Sequence, residues 1–150
     1  MHDDISEIAM VEGTPLPIKQ PDWISCAPFE EFLGMRIDEA ADGQAVLTMP
    51  LKVEFAEGKA SMHRGAVASL AEAAVEIAFK TMLPEGTHFV TTEINVKFGG
   101  LVYAGTVKAV AYASKKDERS FIGVADVYIE NGIKVATSTS HFKVIRNDNS

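Results

Sequence analysis

The run Met62-His63-Arg64-Gly65-Ala66-Val67-Ala68-Ser69-Leu70-Ala71-Glu72-Ala73-Ala74-Val75-Glu76-Ile77-Ala78-Phe79 decides how this chain folds. It is rich in alanine, the strongest helix former, so a helix from about Arg64 to Met82 is predicted, ended by Pro84-Glu85-Gly86. The run is apolar almost all round, and a helix of that kind must be wrapped by other structure. At 1.5 Å per residue it is about 28 Å long, enough to lie across a sheet. With two glutamates, it falls short of the roughly 20 apolar residues that a membrane crossing needs.

The sequence on either side supplies the wrapping. Upstream, Phe29, Phe32 and Leu33 suggest a short helix stopped by Gly34, Met35 begins a strand, and Ala41-Asp42-Gly43 turns the chain into a second strand from Gln44 to Met49. Residues 51–62 read as a loop with the charged centre Glu57-Gly58-Lys59. Downstream, Val90, Thr92, Ile94, Val96 and Phe98 alternate with Thr91, Glu93, Asn95 and Lys97, a period of two that predicts a strand with one wet face. Gly105 to Ser114 is the next strand. Two more, Ser120 to Glu130 and Ile133 to Ile145, flank Asn131-Gly132, which predicts a two-residue hairpin loop with positive φ at both positions. The expectation is an α+β domain: a curved, mostly antiparallel sheet of about six strands wrapped around one long central helix.

The chain has 150 residues, the size of one domain with a sufficient core. Residues 1–28, acidic and punctuated by Pro15, Pro17 and Pro21, read as an N-terminal arm, 29–146 as the domain and 147–150 as a tail. The start Met-His-Asp-Asp has no basic or apolar leader character, so a cytoplasmic location is expected. Cys26 is the only cysteine, which excludes an internal disulfide and a cysteine metal cluster. Neither His88 nor His141 has a nearby cysteine or acidic residue at metal-ligand spacing, and no metal site is read. A net charge of −7 argues against general nucleic-acid binding, which needs a basic face.

Within the wrapped helix, Glu72 and Glu76 need explaining, because a carboxylate removed from water must find a partner or take up a proton. Their i, i+4 spacing puts them on one face, where desolvation and mutual repulsion suit proton-transfer chemistry. The alternative is that one faces solvent or pairs with a lysine at an oligomer contact. His63-Arg64-Gly65 opens the helix, where unpaired backbone N–H groups and the macrodipole could stabilise an oxyanion. Alternatively, His63 simply caps the helix. Eight residues separate Arg64 from Glu72, about 12 Å along the axis, too far for amide and carboxylate of one chain to grip one carbonyl. If both act, they act across subunits of a symmetric assembly.

The stretch from Met62 to Glu72 resembles the H-G-G-x-x-x-x-L-[AV]-[DE] signature of hotdog-fold acyl-CoA thioesterases, the PaaI-like and 4-hydroxybenzoyl-CoA thioesterase group. The segments Phe32-Leu33-Gly34-Met35-Arg36 and Thr91-Thr92-Glu93-Ile94-Asn95-Val96-Lys97-Phe98 are similar to that family's opening segment and its first strand after the helix. The resemblance implies a hotdog fold over residues 29–145 and hydrolysis of an acyl-CoA to a free acid and CoA. It also implies Glu72 as nucleophile or general base, an oxyanion-hole amide from Arg64, and support from His63. Homodimers paired into homotetramers, with sites at the subunit interface, are implied too. CoA enters as part of the substrate, with no separate cofactor, and Lys115, Lys116 and Arg119 occupy the turn where the family commonly places basic residues near the nucleotide phosphates. Such a run is otherwise a solvated turn.

Three positions depart from the family pattern. Arg64 replaces the first glycine of the signature, Glu57 stands where an asparagine or glutamine is usual, and Glu76 replaces a small hydroxyl residue. An ionised Glu57 cannot donate to a thioester carbonyl. Glu76 would make the pocket more acidic or supply a carboxylate pair, while Glu57 and Arg64 are the best evidence for an alternative, a catalytically silent hotdog protein that binds an acyl-CoA or lipid-like ligand. The spacing from His63 to Glu72 does not match hotdog dehydratases.

Overall fold

The computed structural model describes residues 13, 17, 22–58 and 60–147. Most of the expected arm (1–12, 14–16 and 18–21), together with residues 148–150 of the tail, lies outside the described residues. A short helix α1 (Pro28–Phe32) leads into β1 (Arg36–Ala41) and β2 (Gln44–Pro50), and then, after a 3₁₀ turn at Val53–Phe55, into the long helix α2 (Arg64–Lys80). Four strands complete the chain: β3 (Thr87–Phe98), β4 (Thr106–Lys115), β5 (Ser120–Tyr128) and β6 (Lys134–Asn147). They form one sheet in the order β1-β2-β4-β5-β6-β3, antiparallel throughout. This curved six-stranded sheet holding α2 against its inner face is the hotdog α+β architecture.

Small residues let helix and sheet approach closely. Ala71, Ala74 and Ala78 of α2 are buried, as are Ala109 and Ala111 of β4 and Ala125 of β5. At Gly123 a β-carbon would collide with the Val75 side chain, so only glycine fits beneath the helix there. Toward its C-terminal end the helix inserts Phe79, fully buried, among Phe89 of β3, Phe121 of β5 and Phe142 of β6, with ring centroids 4.7, 4.8 and 4.6 Å away. Trp23 covers this end: its indole N–H donates to the Lys80 carbonyl at 3.0 Å, and the Lys80 ammonium lies 5.0 Å from its ring centroid.

Two local expectations are corrected. Between β5 and β6 only Gly132 has positive φ, and its N–H donates to the Ile129 carbonyl while Ile129 N–H donates to Ile133. The connection is therefore a turn closed by a left-handed glycine, not a two-residue loop with both residues at positive φ. The Asn131 side chain accepts the Ile133 N–H at 2.9 Å, which satisfies this longer form. In β3 the alternation is broken. Thr91 faces Phe142 across the ladder and Glu93 faces His141, so Thr92 is an extra residue, a β-bulge. Thr91, expected on the wet face, consequently points inward.

Candidate active site

The loop before α2 is built to hold its N-terminus in place. Ala56 and Met62 form an isolated bridge, Glu57 N–H donates to Ser61, His63 N–H donates to Phe55, and Met62 N–H donates to Val102. His63 is the N-cap: its Nδ1 accepts the Gly65 N–H at 2.8 Å. In the neutral ring this leaves the proton on Nε2. Ala66 and Val67 both donate to the His63 carbonyl. The Arg64 amide is thus the first-turn donor left without an acceptor among the described residues. Of the roles the sequence offers for this helix end, the structure shows the cap: His63 caps the helix.

Gly65 makes that cap possible. A β-carbon at residue 65 would stand 2.9 Å from His63 Nδ1 and 3.1 Å from Cε1, so a side chain there would push the imidazole away. Gly65→Ala is expected to lose the cap and about 0.5–2 kcal/mol of stability, measured by urea denaturation. An unchanged midpoint would show that the ring makes no contribution to helix initiation.

The two departures at this helix end meet each other. Arg64 Nε lies 3.3 Å from Glu57 Oε1, with the arginine side chain mostly exposed. A cation at a helix N-terminus opposes the macrodipole, and the carboxylate compensates for it. Beside this pair, a cavity of about 360 Å³ is lined by Phe29, Leu33, Phe55, Ala66, His63 and Ser69, among others.

About two turns beyond Arg64 along α2, Glu72 lines a second cavity of about 250 Å³ with Phe29, Glu30, Ala68, Ser69 and Ile94. Phe29 and Ser69 belong to both cavities, so the apolar recess at the helix end continues toward the carboxylate. Burial, and then the Glu76 and Glu30 carboxylates, push Glu72 up to about 7, while Thr91 and Lys80 act in the opposite direction. Glu76 is also raised, by burial first, and its carboxylate pairs with Lys80 at 3.7 Å. Thr91 Oγ1 donates to Glu72 Oε1 at 3.3 Å. Glu30 and Thr91 are members of this cluster that the sequence did not single out. Glu30 is delivered by α1, and Thr91 by the bulge, which no alternation rule signals.

Lys115, Lys116 and Arg119 lie around the turn between β4 and β5, as expected. That turn also contains Asp117 and Glu118, and the Asp117 carboxylate accepts the Arg119 and Ser120 N–H groups, which holds its pKa below the usual range. Phe121, just after the turn, packs on Phe79. Within one chain the basic turn is therefore near the C-terminal end of α2, away from His63, Arg64 and Glu57. Among the described residues no group of histidine, cysteine and carboxylate side chains is placed to hold a metal ion, and no helix is long and apolar enough to cross a membrane.

Solved structures share this architecture. PA5202, a conserved protein of Pseudomonas aeruginosa, superposes with a TM-score of 0.77 at 22% identity, covering 83% of this chain and 98% of its own. A mutant of the phenylacetic acid degradation protein PaaI of Thermus thermophilus gives 0.71 at 25% identity, covering 78% and 98%. The thioesterase HI1161 of Haemophilus influenzae gives 0.73 at 24% identity, covering 79% and 82%. No curated protein matches the chain significantly. The profile of the Thioesterase superfamily matches residues 60–136, a little over half of the sequence, from the loop before α2 through β6 as far as Ala136. With the hotdog sheet and its central helix in place and the family profile matched over more than half of the sequence, the chain belongs to the Thioesterase superfamily.

Proposed function

We propose that this protein hydrolyses an acyl-CoA thioester to a carboxylic acid and free CoA. The observation that carries the reading is Glu72: a carboxylate held in the middle of an apolar helix, poised near neutrality, and opening onto an apolar recess. As general base it takes a proton from water while the hydroxide adds to the thioester carbonyl carbon. As nucleophile it adds there itself, and water later cleaves the mixed anhydride. In either course the carbonyl oxygen becomes negative, the C–S bond breaks, and the CoA thiolate takes up a proton. The Arg64 amide is the donor that fits the oxyanion.

Carboxylate and amide belong to different subunits in this reading, because about 12 Å of helix separates them within one chain. β3 supports a second copy as partner. It is an edge strand, hydrogen-bonded only to β6, with Ile94 and Phe98 on its inner side exposed. Antiparallel pairing of two such edges reverses the partner's α2, which brings its helix N-terminus toward Glu72. The same reversal carries Lys115, Lys116 and Arg119 to the end where the partner binds its substrate, placing cations near the CoA phosphates. A homodimer is the smallest complete unit, and two dimers form the homotetramer.

The pairing of Glu57 with Arg64 supports a second reading, a silent binder, because a carboxylate committed to a guanidinium supplies no side-chain donor to the carbonyl. Free-thiol release from aromatic and aliphatic acyl-CoAs separates the two. Hydrolysis of at least one thioester is the expected result. Saturable binding without thiol release from any of them overturns the enzyme in favour of the binder.

A further inference from the structure

A regular strand cannot place two residues three apart on the same face, yet Thr91 and Ile94 both face α2. Thr91 hydrogen-bonds Glu72, and Ile94 lines the Glu72 cavity. The inserted Thr92 reconciles them, and its own hydroxyl donates to the His141 carbonyl at 3.3 Å, fastening the bulge to β6. Upstream of the bulge, Phe89 packs on Phe79. Bulges beside active sites serve to re-aim a side chain. Here the re-aimed side chain is a hydroxyl, and it reaches the one carboxylate on α2 that opens onto the recess without a lysine partner of its own.

We infer that Thr91 is a positioning residue for Glu72, its hydroxyl fixing one carboxylate oxygen and leaving the other for the reaction. The inference rests on the thioesterase reading for its kinetic consequence, but the contact itself does not depend on it. Three charged groups bear on Glu72: Glu76 and Lys80 from its own helix, and Glu30 from α1. Glu30 is already engaged by the Ala27 N–H at 3.0 Å, and Lys80 by Glu76. Thr91 is the neutral donor that β3 adds, and it favours the ionised carboxylate. Removing the hydroxyl leaves the two like charges and the burial less opposed, so Glu72 holds its proton to higher pH.

The test compares wild type with Thr91→Val, Thr91→Ala and Thr91→Ser. Two readouts are taken: the pH profile of kcat/KM on the best acyl-CoA substrate, and the titration of the Glu72 carboxyl carbon by NMR. Both hydroxyl-free variants are expected to move the acid limb and the titration upward by about half to one pH unit. That shift makes them about 3- to 10-fold slower on the acid side. Thr91→Ser is expected to restore the wild-type profile. Thr91→Ala carries the test if Thr91→Val does not fold. An unmoved Glu72 titration in a folded hydroxyl-free variant overturns the inference, whatever happens to the rate. Absence of wild-type thiol release overturns the thioesterase reading alone, and the titration still decides Thr91.

Discussion

Glu72→Gln is expected to abolish thiol release while making the protein more stable. The loss of rate should be about 10²-fold or more, the scale of a principal acid–base or nucleophilic group. The amide keeps the shape and can still accept from Thr91, but it can neither take a proton from water nor attack a carbonyl. The gain in stability follows from burial and like charge. Glu72 is pushed up to about 7 by burial first, then by Glu76 and Glu30, whereas the unfolded chain releases that proton near the ordinary carboxylate value. Between those two values the folded state binds more protons than the unfolded state, so its stability falls as pH rises. Below the unfolded value both states are protonated and the stabilising difference is fully present. Above about 7 it is lost, and an ionised, desolvated carboxylate remains beside two others. Glutamine removes that burden, by about 1 kcal/mol or more after allowance for partial exposure. Thermal melts of both proteins at about pH 8 and about pH 4 check this, with the variant melting higher at pH 8 and the two converging at pH 4. Wild-type activity itself should rise from about pH 5 to pH 8, following ionisation of Glu72. Retention of most turnover by the variant would remove Glu72 from the chemistry, and an unchanged melt at pH 8 would contradict its burial cost.

This pairing of lost activity with gained stability is what a functional site in an otherwise consistent fold predicts. The helix from Arg64 was legible because alanine and apolar residues on every side leave no solvent face, and the sheet followed from strand periods and turn residues. Glu72 was legible for the same reason, as a charge where the pattern allowed none. Thr91 was not: a bulge is a feature of ladder register, set by what β6 offers opposite it, and the strand's own alternation assigns Thr91 to the wrong face. The Asn131-Gly132 loop failed in a similar way, because the asparagine side chain can satisfy more than one turn. The link between Glu57 and Arg64 is also out of reach of the sequence, in which they stand as separate departures. Only the fold of the loop around Ala56 and Met62 sets them side by side.

Phe79→Ala is expected to be the most destabilising single substitution in the aromatic cluster beneath α2, costing about 3–5 kcal/mol. Phe79 is fully buried and touches three rings: Phe142 stacked at 18° between planes, Phe89 edge-on at 89°, and Phe121 tilted at 59°. Each ring belongs to a different strand, so this one side chain ties β3, β5 and β6 to the helix. Truncation removes the transfer free energy of a ring and three aromatic pairings of about 0.5–1.5 kcal/mol each, terms that overlap and are not summed. Relaxation is restricted, because Gly123 beneath Val75 already sets the closest approach of helix to sheet. The helix cannot drop into the void without driving Val75 into the β5 backbone. Urea denaturation followed by Trp23 fluorescence reports the change directly, since Trp23 lies edge-on to Phe89 at 6.3 Å and bonds the carbonyl of Lys80, the residue after Phe79. A loss below about 1.5 kcal/mol would mean that the cluster repacks freely, and that the close helix-to-sheet spacing is not the constraint it is taken to be.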